Sequence, residues 1–191
     1  VFATGLFALL LLTTVRTDLL ERWQETLPAD APDHFLINIQ PAEVAPLQQF
    51  LAAQSVNAAF YPMIRGRLVA VNGKPVTPQA LEDQRAQRLL EREFNLSSSA
   101  DFPASNVLLQ GQWFDTGVSG FSIEKGIGET LKFGMGDTLT FDIAGQQVTQ
   151  PITSVREVRW DSMQPNFFVI AAPGSVDNMP QTHITSIHLG E

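Results

Sequence analysis

No cysteine occurs anywhere in the chain, which excludes a disulfide framework, a zinc ribbon and a thiol nucleophile. Basic residues are scarce: twelve Lys and Arg stand against twenty Asp and Glu, a formal net charge of −8. The broad positive surface that nucleic-acid binding needs is therefore missing, and no nucleic-acid partner is expected. No G-x-x-x-x-G-K-[ST] segment is present, so the chain does not bind a nucleoside triphosphate through a P-loop. "GVSGF" lacks the second glycine of a nucleophile elbow. The three histidines, His34, His183 and His188, have no H-E-x-x-H motif around them. No catalytic residue, cofactor-binding residue or metal ligand is assigned.

Long hydrophobic runs are also few. One opens the chain, "VFATGLFALLLLTTV", with no charge before Arg16. As a helix it reaches ~22 Å, short of the ~30 Å hydrocarbon core of a bilayer. Neither a basic n-region nor a small-residue cleavage site accompanies it. The better reading is the outer end of a transmembrane helix; a signal peptide and a buried core helix are the alternatives. Leu19, Leu20, Trp23 and Leu27 continue a helical stripe, so residues 1–27 are expected to leave the membrane and run on to Pro28. Trp23 is read either as an interfacial anchor or as packing on the domain.

"LPADAPDH" then marks a boundary. "HFLINIQ" reads as a strand, and "PAEVAPLQQFLAAQ" as a helix with Val44, Leu47, Phe50, Leu51 and Gln54 on one face. Its regular part is expected to begin near Pro46. "AAFYPMI" and "GRLVAVNGKPV" read as strands, with Asn72-Gly73 in a tight hairpin turn. "TPQALEDQRAQRLLEREFNL" favours a helix with a thin apolar face of Leu81, Leu89 and Phe94. The acidic pairs Glu82/Asp83 and Glu91/Glu93 are expected to face solvent.

The glycine-rich "SIEKGIGETLKFGMGDTLTFDIAG" tests for a phosphate cradle. "GIGETL" fails the dinucleotide fingerprint, because Leu131 stands where a glycine is needed. Ile123, Ile127 and Leu131 instead fall on one helical face, with Gly134 or Gly136 expected to end the helix. Leu139, Phe141 and Ile143 alternate with polar residues as a strand, and "VTQPITSVREV" returns beside it. In "VRWDSMQPNFF", Trp160, Met163, Phe167 and Phe168 either form an apolar recognition surface or fill a core.

"LPADAPDHFLINIQP", "YPMIRGRLVAVNGKPV", "REFNLS", "FSIEKGIGETLKFGMGDTLTFDIAG" and "ITSVREVRWDSMQPNFFVI" together resemble the FtsX-like, MacB-like permeases of ABC transporters, and among them the YbbP type. The resemblance runs over nearly the whole chain. It implies an α+β, two-lobed MacB-like periplasmic core following the end of a transmembrane helix. Residues 28–100 and 165–191 would form a βαβ-type, porter-like lobe, incomplete here, and residues 101–164 a mostly β insertion lobe. It further implies a non-catalytic subunit of the bacterial inner membrane with this domain in the periplasm. A separate cytoplasmic ABC ATPase would be its partner, and hydrophobic cargo would be extracted or exported. A periplasmic interaction module that recruits or regulates a partner such as a cell-wall hydrolase is the alternative reading, and a membrane-anchored hydrolase the third.

Overall fold

The computed structural model describes residues 5, 7, 10–16, 31–115 and 117–189. The chain divides into two compact units, residues 1–31 and 32–191. In the first, residues 10–16 are helical, and the Thr14 hydroxyl donates to the Leu10 carbonyl at 2.8 Å. Among the described residues, no helix is both long and apolar enough to cross a membrane. The expected extension through Leu19, Leu20, Trp23 and Leu27 lies outside the described residues.

In the second unit, ten strands share one mixed sheet. The strands are β1 (His34–Ile39), β2 (Tyr61–Val71), β3 (Lys74–Pro75), β4 (Phe94–Ser98), β5 (Asn106–Gly111), β6 (Phe121–Glu124), β7 (Thr138–Ile143), β8 (Gln146–Val158), β9 (Val169–Ala171) and β10 (Thr182–Ile187). Among the described residues three α-helices accompany them: α1 (Pro41–Ala53), α2 (Gln84–Glu91) and α3 (Lys125–Leu131).

The ladder closes on itself. β2 pairs antiparallel with β4, β4 parallel with β9, β9 antiparallel with β6, β6 parallel with β8, β8 antiparallel with β7, and β7 antiparallel with β2. Closure removes the free edges of these six strands. Ile64, Leu96, Phe121, Ile123, Leu139, Phe141, Ile143, Ile152 and Val169 are buried together in one core. Phe141 stands at its centre, edge-on to Phe94 and Phe121 at 5.9 and 5.4 Å between centroids. Along β2 the inward Ile64, Gly66 and Leu68 alternate with the exposed Arg65 and Arg67, a period of two that fits a half-buried strand. Gly66 is needed for space: a Cβ there would lie 2.7 Å from Leu96 Cδ1.

Outside the ring, β10 lies antiparallel between β1 and β2, so β1, α1 and β2 make a split strand–helix–strand unit. Asn72 and Gly73 both take positive φ in the β2–β3 hairpin, as a type I′ turn requires.

Several expectations are corrected. "AAFYPMI" and "GRLVAV" belong to one strand, because β2 runs unbroken through Gly66. α1 begins at Pro41, not near Pro46: Pro41 fits the first helical position, and Gln40 with Glu43 forms a capping box. Phe50 points away from the face that buries Leu51. α2 is short, and Phe94 belongs to β4, buried in the ring. Ile123 lies on β6 rather than on α3. The left-handed residue that ends α3 is Lys132, not a glycine. Gly128 makes that ending possible, since the Phe133 carbonyl would lie 2.9 Å from a Cβ there. Residues 32–191 cluster as one compact unit. Within it β2 bonds to β10, β4 and β7 at different parts of its length.

Candidate functional site

A cleft of about 770 Å³ opens on the outside of the ring between α2 and α3. One wall is cationic. Asp83 starts α2 by accepting the Arg85 N–H at 2.8 Å, and the helix buries Ala86 and Leu90 against the ring. At 100° per residue this turns Arg85 and Arg88, and Arg92 just beyond the helix, to one common side with Leu89 beneath them. All three arginines line the cleft and are exposed. Among the described residues, none of the three is paired with a carboxylate.

The opposite wall is the first turn of α3. Glu124 caps it, with one carboxylate oxygen accepting the Gly126 N–H and the other the Ile127 N–H, both at 2.8 Å. Gly126, Ile127 and Thr130 face the cleft beside Glu124. The floor is aromatic: Trp160 and Phe168 meet at 5.0 Å between centroids, tilted by 51°.

A buried cation holds that floor in place. Arg156 on β8 is fully buried, its Nη1 donating to Asn106 Oδ1 at 2.7 Å and its Nη2 to the Phe167 carbonyl at 2.5 Å. Burial pushes its pKa down to about 10, against the opposing charge of Glu124, so it stays protonated at neutral pH. Asn106 Nδ2 donates to Asn166 Oδ1 at 3.0 Å, and Asn166 Nδ2 in turn donates to the Gln164 carbonyl at 3.1 Å. The segment carrying Trp160 and Phe168 is thereby folded around Asn166 and tied to the ring.

Trp160 and Phe168, named from the sequence, come together in the cleft, and Trp160 remains 51% exposed. Phe167 is buried in a satellite cluster with Phe114, Ile170 and Ala172. Met163 is half-buried, in a left-handed turn after residues 160–162. The arginine wall was missed because its helix read as a solvated charged segment. The signal was there in the spacing 85, 88, 92. Among the described residues no group of three or more His, Asp or Glu is placed to share a metal ion.

The chain is 40% identical over 186 residues, 97% of its length, to a protein of Escherichia coli (strain K12) described as the uncharacterized ABC transporter permease YbbP. By sequence, the chain is similar to one segment of a YbbP-type ABC transporter permease. No family model matches it. The matched region is 22% of the relative, so the chain spans about a fifth of that protein's length. The cleft, the arginine row and the Arg156 network all lie within the matched region.

Proposed function

We propose that this domain is the periplasmic part of an ABC permease subunit of the bacterial inner membrane. It couples ATP hydrolysis by a separate cytoplasmic ATPase to extraction or export of hydrophobic cargo. The observation that carries this reading is the 40% identity over 97% of the chain to a YbbP-type permease. The missing P-loop agrees with an ATPase on another chain. In this reading the apolar residues 1–15 are the outer end of a membrane helix. Support comes from Phe7, Leu10, Leu11, Leu12 and Val15, all exposed in the chain. The two-lobed, porter-like division is likewise a proposal for the whole permease. The split unit of β1, α1, β2 and β10 supports a porter-like lobe made of residues 28–100 and 165–191.

The test is affinity purification of the tagged full-length protein from membranes. A P-loop ATPase should co-purify and hydrolyse ATP faster with the permease than alone. Purification to homogeneity with no ATPase retained would sink the reading. One observation favours the recruitment module: β5 ends the strand order and exposes Val107, Leu108 and Leu109. A cell-wall hydrolase retained by the wild type and lost with Leu108→Lys would select that alternative.

A further inference from the structure

The geometry points to an anionic amphiphile as the occupant of the α2–α3 cleft: a carboxylate or phosphate head against Arg85, Arg88 and Arg92, and an acyl-length tail over Leu89, Ile127, Trp160 and Phe168. Calling this ligand cargo rests on the permease reading; the binding itself rests on the cleft.

Three features converge. The cleft collects three arginines on one wall, in a chain with a net charge of −8. Among the described residues no carboxylate neutralises them. Guanidinium forks hold carboxylate and phosphate oxygens in pairs, so an acidic head fits this wall better than a neutral one. Second, the carboxylate that does line the cleft is already engaged. Both Glu124 oxygens accept N–H groups of α3, and the buried Arg156 opposes its charge. These contacts offset part of its repulsion toward an anion. Third, beside Gln84 and Thr130 the lining offers an apolar surface of Leu89, buried Ile127 and a tilted aromatic pair, with Trp160 exposed. Trp suits such a place, apolar on one face and wet on the other. At about 770 Å³ the cleft is in the size range of small-molecule sites. A single-stranded nucleic acid also combines phosphate with stacking, but the surrounding negative charge disfavours a polyanion and favours a single compact head.

The test uses the full-length protein in native membranes and a palmitate carrying a mid-chain diazirine, with photo-adducts mapped by mass spectrometry. Adducts should concentrate on residues 84–92, 126–130 and 160–168. The double variant Arg85→Gln/Arg88→Gln should lower them at least about fivefold, the loss expected when charge-assisted hydrogen bonds to a head group are removed. Trp160→Ala should do the same, while unchanged hydrogen exchange in the ring strands confirms that the fold persists. If the double variant unfolds, Arg92→Gln alone carries the test. Dodecyl phosphate should compete with the probe and dodecanol should not. Competition by phosphatidylglycerol vesicles would identify a phospholipid as the source of the head, and competition by oleate alone a free fatty acid. Adducts spread over the surface, adducts indifferent to the arginines, or equal competition by dodecanol would each overturn the assignment. Displacement by an oligonucleotide but not by dodecyl phosphate would overturn it in favour of nucleic acid. ATPase co-purification is a separate readout, so the site and the permease reading fail independently.

Discussion

The closed ring and the flank beside it are built from the same kinds of residue and differ in what covers them. In the ring, Leu139, Phe141 and Ile143 on β7 all face a core sealed by six strands, and each is essentially inaccessible. In the flank, β1 exposes Phe35 and Ile37, and α1 buries only Leu51 while Phe50 stays open. A strand needs a second layer to bury its apolar face; the ring supplies its own by curling, whereas β1 has one neighbouring strand, β10, against which α1 packs. Cooperative stability should therefore concentrate in the ring, and the flank should open first.

Core truncations break this contrast most directly. Phe141→Ala removes a ring that touches Phe94 and Phe121, and should cost about 3–5 kcal/mol in a denaturant titration. Leu51→Ala should cost about 2 kcal/mol, because the sparse surroundings of α1 leave less packing to lose. Equal losses at both sites would mean that flank and ring unfold as one.

Next in size is the link between ring and cleft. Arg156→Met strands Asn106 Oδ1 and the Phe167 carbonyl, and removes the cation opposing Glu124. Breaking such a buried arrangement from one side costs about 3 kcal/mol. Trp160 fluorescence should shift with it, since Asn106, which donates to Asn166, loses its own partner. A neutral result would show that the Asn106–Asn166 pair holds the 159–168 segment unaided.

Much of this was legible in the sequence, and the misses have a common cause. β7, the Asn72-Gly73 turn and the β1–α1–β2 order follow from local periodicity and turn chemistry, which depend on near neighbours. Closure of the ring does not. It depends on β2 meeting β4 and β7 along different parts of its length, a non-local fact with no periodic signature. Ile123 misled because a four-residue strand running into a seven-residue helix offers too few positions to separate a period of two from 3.6. Pro46 misled because a helix already capped at Gln40 and started by Pro41 can absorb one lost hydrogen bond. Half of the cleft was visible as Trp160 and Phe168. The arginine wall went unseen because its meaning comes from what lies opposite: an exposed arginine beside an aromatic floor and one in open solvent look alike in sequence.

The smallest expected effect sharpens the comparison through pH. His34, His183 and His188 all lie in the flank, on β1 or β10 or beside them, and the ring strands contain no histidine. Burial lowers the pKa of His183 below its usual 6.5, and its Nδ1 is buried without a hydrogen-bond partner among the described residues. The native flank therefore takes up this proton less readily than the opened chain does. Between the unfolded and the lower folded pKa the opened state binds more protons, so flank stability is full above about pH 6.5 and falls as pH drops below it. Asp33 does not contribute there. The His34 hydrogen bond and the Leu189 N–H hold its pKa below 3.8, so its contribution is lost only at more acidic pH. Amide exchange in β1 and β10 should accelerate between pH 7 and pH 5 once intrinsic exchange is corrected, while β7 and β9 stay unchanged. His183→Gln should flatten the flank response. A response that survives this substitution would show that His183 does not carry it, and one shared by β7 would show that the ring does not insulate itself from the flank.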